Sequence, residues 1–227
     1  MTHAAGRLIV FEGGEGSGKS TQIRRLSSDL VAEGVAHVCL REPGGTPLGT
    51  EVRRVLLDRS SDIEPRAEAL LFMASRAQLV QREILPALAR GNIVLLDRFF
   101  LSTYAYQIAG HGLPESEVRG ANRFATGGLV PDLTLLLTFP IRLGLERAGR
   151  RAEVHDRMES MGVAFHQRVG AAFANFTEPA WQVQHEECGP IVGVDARGAE
   201  EEVAARVRAV LSAWPGVLSH RRRSDRG

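Results

Sequence analysis

One segment constrains this chain more than any other: Gly13–Thr21, which reads GGEGSGKST. Its residues 13–20 match the pattern G-x-x-x-x-G-K-[ST]. An apolar run typical of a buried strand, Arg7–Glu12, precedes the match, and a helical pattern over Lys19–Glu33 follows it. In that context the glycines let backbone N–H groups turn inward around a chain of phosphates, and the start of the helix adds partial positive charge. The segment therefore predicts a strand, a phosphate-binding loop and a helix in that order.

Lys19 is the only lysine in a chain with 28 lysine and arginine residues. A phosphate-binding loop has room for a compact ammonium on a thin stem but not for a planar guanidinium, so a chain that otherwise uses arginine keeps lysine here. We expect Lys19 to reach the β- and γ-phosphates of ATP and Ser20 to ligate Mg²⁺. The alternative is a chance match in a glycine-rich turn. The residues expected to bind ATP in this loop are Gly13, Gly14, Glu15, Gly16, Ser17, Gly18, Lys19, Ser20 and Thr21.

The composition is that of an ordinary globular protein, with 44% hydrophobic and 24% charged residues over 227 positions. A net charge of +1 provides no global field toward nucleic acid or an anionic membrane. The two cysteines, Cys39 and Cys188, lie far apart, which favours a reducing compartment. No apolar run has the length of a membrane span. We therefore expect a cytoplasmic enzyme or binding module with neither a nucleic-acid nor a membrane partner, and a disordered basic tail over about 218–227.

Short apolar runs alternate with helical patterns along the chain. The predicted strands are Arg7–Glu12, Ala36–Arg41, Asn92–Asp97, Leu133–Phe139 and Pro190–Asp195. The predicted helices are Lys19–Glu33, Leu48–Asp58, Pro65–Ala89, Ser102–Ala109, Glu115–Thr126, Arg142–Ala148, Val163–His185 and Ala199–Ala213. Strands that are apolar throughout and separated by helices predict a parallel sheet covered on both faces. Because no repeat or linker interrupts the pattern, we expect residues 1–227 to form a single domain.

Two further features indicate which class of phosphate-loop protein this is. Asp97 and Arg98 end the third predicted strand, where open α/β sheets place their ligands. Asp97 can hold Mg²⁺ through water and Arg98 can fork onto a phosphate, although the two could instead form a local ion pair. The segment Arg147–Arg157 contains four arginines, which suit charge stabilisation on a transferring phosphoryl group or, alternatively, a solvated charged helix. GTPases, motor ATPases and small kinases share this loop, but a GTPase N-K-x-D motif is excluded because Lys19 is the only lysine. The chain is also short for a motor ATPase, which favours a kinase of small molecules.

From Leu8 to about Val210 the sequence resembles the thymidylate kinase family. The motifs that carry the resemblance are FEGGEGSGKST (Phe11–Thr21), REPGGTPLG (Arg41–Gly49), LLFMASRAQLV (Leu70–Val80), DRFFLSTYAYQ (Asp97–Gln107), PDLTLLL (Pro131–Leu137) and DRMES (Asp156–Ser160). The resemblance implies a three-layer α/β P-loop kinase fold, with a five-stranded parallel sheet, helices on both faces and a short arginine-rich lid over about 147–160. It implies transfer of a phosphoryl group from ATP, with Mg²⁺, to dTMP.

The resemblance also implies a set of residues that bind dTMP. Phe72 would stack on thymine and Arg76 would donate to its O4, and these two residues share one helix face. Arg98 and Arg53 would hold the phosphate. The remaining implied contacts are Glu15 near the 3′-OH, Tyr106 beneath the sugar at C2′, and Ser102, Thr103 and Gln107 at the base edge. From the residues alone, a core position beside Leu71 and Met73 is the favoured reading of Phe72, and a plain core aromatic is the alternative for Tyr106.

The loop position after Glu15 is Gly16, whereas some members of the family carry arginine there. This chain therefore resembles the bacterial type, whose catalytic arginines come from the lid; the candidates are Arg150, Arg151 and Arg157, beside Lys19 and Arg98. Arg147 would stack on adenine. The resemblance further implies a homodimer and suggests a cis Glu42–Pro43 bond. Two other functions stay open on the sequence: another nucleoside-monophosphate or deoxynucleoside kinase, and a nucleotide-binding regulatory module without turnover.

Overall fold

Five strands of the chain form one parallel sheet. The computed structural model describes residues 6–149 and 157–214, and the basic tail lies outside them. The strands are β1 (Arg7–Glu12), β2 (His37–Arg41), β3 (Ile93–Asp97), β4 (Leu133–Thr138) and β5 (Ile191–Asp195). Their order is β2-β3-β1-β4-β5, and every neighbouring pair is parallel. The five-stranded parallel α/β fold expected from the sequence is thereby confirmed.

The central strands are apolar throughout because helices cover both faces of the sheet. Successive side chains of a strand point to opposite faces, and β1 divides its residues accordingly. Leu8 and Val10 belong to one buried cluster, whereas Ile9 and Phe11 belong to the other. All four are fully buried, so each face of β1 contributes to a separate core layer.

Ten α-helices, several of them short, surround the sheet in the described part of the chain. They are α1 (Lys19–Ala32), α2 (Pro47–Leu57), α3 (Pro65–Leu79), α4 (Leu85–Ala89), α5 (Phe100–Thr103), α6 (Glu115–Thr126), α7 (Ile141–Gly149), α8 (Val163–Asn175), α9 (Pro179–Gln184) and α10 (Glu200–Ala213). Two π-helical segments, Val80–Ile84 and Tyr104–Gly110, continue α3 and α5, and a 3₁₀ turn spans Glu186–Cys188.

The single helix predicted over Val163–His185 is wrong, since the chain breaks between α8 and α9. Pro179 is the first residue of α9. Proline has no N–H to donate and disfavours helical geometry in the residue before it, so Glu178 is extended and the helix restarts. The pattern predicted over Pro65–Ala89 is helical along its length, but its middle widens into the π-helical Val80–Ile84 ahead of Pro86.

The sheet brings the two predicted functional segments together. Phe11 of β1 pairs in register with Asp97 of β3, so the carboxyl ends of these strands are adjacent. The loop that follows β1 therefore lies beside Asp97 and Arg98, at the edge where parallel sheets bind ligands. No helix among the described residues is long and apolar enough to cross a membrane.

Candidate active site

The loop between β1 and α1 is built around glycines in conformations that other residues rarely adopt. Gly16 has φ +65°, and a Cβ placed there would lie 2.0 Å from the carbonyl oxygen of Gly144. Gly18, with φ +94°, precedes the first residue of α1. The loop thus requires glycine at position 16 for two reasons: its backbone conformation and its close approach to α7.

Lys19 is folded back into this loop. Its Nζ donates to the carbonyl oxygens of Gly13 and Gly14, at 2.9 Å each. The side chain is 7% exposed. Burial, with repulsion from Arg98, lowers the pKa of Lys19 to about 8 even though Glu15 and two other carboxylates oppose the change. A buried ammonium among carbonyl oxygens, next to the start of a helix, suits an incoming phosphate.

Ser20, in the first turn of α1, lies next to Asp97, the last residue of β3. The Ser20 hydroxyl donates to Oδ2 of Asp97 at 2.7 Å. A hydroxyl and a carboxylate are hard oxygen ligands of the kind Mg²⁺ prefers, and a Mg²⁺ ion usually keeps several waters and phosphate oxygens as its other ligands. The pair therefore fits the metal that the sequence predicts here.

Arg98 occupies a strained backbone position at the centre of the site. Its φ is +72°, in the region that non-glycine residues seldom adopt. Its guanidinium contacts the Glu15 carboxylate, and Nη1 donates to the Ser102 hydroxyl at 3.0 Å. Burial raises the pKa of Glu15, but Arg98 and Lys19 outweigh it and hold that pKa below its usual value. The site thus holds an ionised carboxylate between two cations, with Arg98 directed at the loop.

Glu12 stabilises the turn that carries Arg98. This carboxylate is fully buried at the end of β1 and accepts from the backbone N–H of Phe99 at 2.7 Å. It also accepts from the backbone N–H of Ser102 at 3.0 Å and from the Ser102 hydroxyl at 2.7 Å. The anion therefore satisfies donors at the start of α5 and fixes the turn that carries Arg98.

A cavity opens next to Arg98 and is lined by all nine residues predicted to bind dTMP. These are Glu15, Arg53, Phe72, Arg76, Arg98, Ser102, Thr103, Tyr106 and Gln107. Four lining residues were not predicted to contact substrate: Glu42, Pro43, Leu57 and Met158. Phe72 is half-buried on the wall, as expected of a stacking residue, and not enclosed in the core. We call this cavity the acceptor cavity.

A second cavity adjoins the first and contains the phosphate loop. It is lined by Gly16, Gly18, Lys19, Ser20, Thr21, Arg41, Asp97 and Glu159. Four residues line both cavities: Glu15, Glu42, Arg53 and Arg98. We call the second one the donor cavity. Two ligands placed in the two cavities would meet at this shared border, which holds two arginines and two carboxylates.

Arg76 is already fully engaged by the protein. Its side chain is 2% exposed, and its Nε and Nη2 both lie on Oε2 of Glu42, at 2.7 and 2.6 Å. Nη1 donates to Thr103 Oγ1 at 2.9 Å and to Asn122 Oδ1 at 2.5 Å, and Nη2 also donates to the Phe99 carbonyl at 2.8 Å. Four guanidinium hydrogen bonds and the ion pair with Glu42 thus hold Arg76 on the protein. The structure places Arg76 in the cavity wall, and its donation to O4 stays a prediction.

Tyr106 and Gln107 lie deep in the acceptor cavity. The Tyr106 hydroxyl donates to Oε1 of Glu15 at 3.2 Å, and the Arg98 guanidinium lies 5.3 Å from the centre of the Tyr106 ring. Gln107 Nε2 donates to Oε1 of Glu68 at 2.9 Å. The Glu42–Pro43 peptide bond beside them is cis. These contacts hold the cavity wall in place without any ligand.

The lid arginines are the part of the sequence prediction that the geometry supports least. Arg150 and Arg151 lie outside the described residues. The Arg147 guanidinium lies 4.0 Å from the centre of the Phe139 ring. Arg157 forms a buried ion pair with Glu68 and is not among the described residues that line either cavity.

Three residues that line the cavities are not predicted by the sequence: Arg41, Glu42 and Glu159, although all three lie inside motifs that carry the family resemblance. Glu42 follows Arg41 in REPGGTPLG, and Glu159 is the acidic residue of DRMES. The burial of Glu42 cannot be read from the sequence, and nothing local specifies Arg76, 34 positions away, as its partner.

Comparison with known proteins agrees with this geometry. The sequence model of the family described as thymidylate kinase matches residues 11–186. A thymidylate kinase of Deinococcus radiodurans is 46% identical over 207 residues, covering 91% of this chain and 97% of that protein. A thymidylate kinase of Leifsonia xyli is 44% identical over 211 residues, covering 92% and 96%. One of Thermomicrobium roseum is 46% identical over 192 residues, covering 83% and 91%. The chain belongs to the thymidylate kinase family.

Proposed function

We propose that this chain transfers the γ-phosphoryl group of ATP to the phosphate of dTMP, giving ADP and dTDP for dTTP biosynthesis. One observation carries the proposal: the cavity that collects the predicted dTMP-binding residues shares a border with the cavity that contains Lys19. Two anions bound on either side of that border would have their reacting atoms close together.

On the donor side, the ATP phosphates occupy the loop between β1 and α1. Lys19 leaves the carbonyl oxygens of Gly13 and Gly14 for the β- and γ-phosphates, whose charge favours its protonated form. Ser20 and Asp97 would hold Mg²⁺. When bound, the ion neutralises charge on the phosphates.

On the acceptor side, Arg98 and Arg53 hold the dTMP phosphate. Glu15 faces the sugar 3′-OH, and Tyr106 packs under C2′. A hydrophobic wall rejects an added hydroxyl only modestly, so we expect imperfect exclusion of a ribose. Phe72 stacks on the thymine ring, while Arg76, Ser102, Thr103 and Gln107 supply the polar wall around the base.

The transfer itself needs no covalent intermediate. An oxygen of the dTMP phosphate, already largely ionised at neutral pH, attacks the γ-phosphorus, and the bond from that phosphorus to the β-bridging oxygen breaks as ADP leaves. The protein contributes alignment of the two anions and positive charge around the transferred group, from Lys19 and Arg98 and from Arg150 and Arg151 of the lid. Arg147 would contact adenine.

We further propose that the chain works as one domain over residues 1–227, as a homodimer in the cytoplasm. The family resemblance supports the dimer, and two cysteines that are both free, Cys39 and Cys188, agree with a reducing compartment.

The test is a coupled assay for ADP release with ATP, Mg²⁺ and each of dTMP, dUMP, dCMP, dAMP and dGMP. We expect release with dTMP above all others and none from the Lys19→Met variant, which keeps the length of the side chain but removes its charge. Equal turnover of another monophosphate would make the chain a different nucleoside-monophosphate kinase. Nucleotide binding without dTMP-dependent ADP release would make it a regulatory module.

A further inference from the structure

A fully buried carboxylate, Glu68, lies behind the acceptor cavity. It is on α3, one helical turn before Phe72, and its exposure is 0%. Gln107 Nε2 donates to its Oε1 at 2.9 Å, His111 Nε2 lies 3.0 Å from the same atom, and Arg157 contacts Oε2. An isolated carboxylate is costly to bury, so these partners together make the ionised form tolerable. Glu68 therefore joins three segments that are distant in sequence.

Arg157 is held at three points on this side of the molecule. Its guanidinium contacts Glu68, its Nε donates to the Leu56 carbonyl at 2.9 Å, and its backbone N–H donates to the Leu57 carbonyl at 3.1 Å. The residue is 9% exposed. These contacts place its charge against α2 and α3, and Arg157 is not among the described residues that line the donor cavity, where the phosphoryl group would be transferred.

Residues that neighbour Glu68, Arg157 and their partners line the two cavities. Leu57, Gln107 and Met158 all line the acceptor cavity, and Met158 Sδ lies 3.6 Å from Arg157 Nη2. Glu159 lines the donor cavity. Because Met158 and Glu159 follow Arg157 directly in the chain, the ion pair between Arg157 and Glu68 also positions these two residues.

We propose that Glu68 and Arg157 are positioning residues: their buried ion pair holds the Met158 wall of the acceptor cavity against Gln107 and Phe72, and so sets the affinity for the acceptor nucleotide. Arg157 then makes no contact with the transferring phosphoryl group. The identity of the ligand, dTMP, rests on the proposed function. The ion pair between Glu68 and Arg157 and the position of Met158 in the cavity wall are independent of it.

The experiment compares dTMP binding by calorimetry with steady-state kinetics in four variants. Glu68→Met and Arg157→Met each break the pair, their combination replaces it with an apolar pair, and Glu68→Gln keeps the shape of the carboxylate. Arg66→Ala is the control, because Arg66 is on the same helix but forms an exposed pair with Glu117 at 3.8 Å. Thermal melting and the Kd for ATP report whether each variant is folded.

We expect each single Met variant to raise the Kd for dTMP about tenfold, with kcat and the Kd for ATP changed less than about threefold. The double variant is expected to bind dTMP no worse than either single variant, since two residues acting as one unit are not additive. Glu68→Gln, which can still accept from Arg157, is expected to lie between wild type and Glu68→Met, and Arg66→Ala to match wild type.

Two results would overturn the inference. One is a loss of kcat of about a hundredfold in Arg157→Met with dTMP affinity unchanged and Glu68→Met normal, which is the behaviour of a catalytic arginine. The other is wild-type dTMP affinity in every variant. Because binding is measured without ATP, both results are distinct from failure of the proposed function, which would show as a wild-type protein that neither binds dTMP nor releases ADP with it.

Discussion

The buried ammonium of Lys19 destabilises the free protein, and this cost is measurable through pH. An unfolded chain gives lysine a pKa of about 10.4. In the folded protein, burial and Arg98 lower the pKa of Lys19 to about 8. Below the folded value both states hold the proton and the folded state bears the whole cost. Between about pH 8 and about pH 10.4 the folded state releases its proton first, so stability rises with pH by about 1.4 kcal/mol per unit.

The assay compares urea unfolding of wild type and Lys19→Met without nucleotide. At about pH 7.5 the penalty is almost fully present, and at about pH 9.5 part of it is relieved. The free energy of unfolding of wild type should therefore rise by about 2 kcal/mol relative to that of the variant between these two pH values. Taking the difference cancels tyrosine and cysteine titrations that both proteins share, and equal m-values would show that both unfold alike.

A constant difference between the two proteins across this pH interval would refute the reasoning, and so would a decrease. A constant difference would mean that Lys19 titrates near its unfolded pKa, and a decrease would mean that its folded pKa lies above the unfolded one. Either result would mean that burial, which leaves Lys19 7% exposed, does not penalise its ammonium.

Three other predictions concern the same site. The kcat/KM for ATP should fall about tenfold per pH unit above about pH 8, because the free protein loses the proton of Lys19 there. The kcat at saturating ATP should stay level to higher pH, because bound phosphate raises the pKa of Lys19, and parallel pH profiles for the two constants would contradict this. Gly16→Ala should lower Tm by more than about 5 °C, since its Cβ would lie 2.0 Å from the Gly144 carbonyl oxygen, whereas Gly120→Ala, whose Cβ meets nothing within 4 Å, should keep or raise Tm. Tyr106→Phe removes a hydroxyl that donates to the loop carboxylate, so the KM for dTMP should rise about threefold to tenfold with kcat almost unchanged; a large loss of kcat would give the hydroxyl a role in the transfer step.

The sequence predicted the phosphate loop because its determinants are local. The spacing of glycines, a lysine and a serine between an apolar run and a helical pattern needs no distant partner to be interpreted. The parallel sheet was also predictable, since strands buried on both faces are apolar at every position. The break at Pro179 was a readable signal that the helical prediction overlooked.

The roles of the arginines were less accessible from sequence. Arg157 resembles the other arginines of its segment, yet its partner Glu68 lies 89 positions away on another helix. Arg76 likewise depends on Glu42, Thr103, Asn122 and the Phe99 carbonyl, which come from three separate segments. The sequence shows where each arginine is but not which carboxylate forms an ion pair with it.

By itself, then, the sequence determined the local conformations, the layer order and the type of chemistry, because propensity, hydrophobic period and glycine geometry act over a few residues. Tertiary structure decided which charges are neutralised and which remain available to ligands. Burial and Coulomb energy depend on distances through space, and only the folded chain pairs Arg98 with Glu15 in the loop and Arg157 with Glu68.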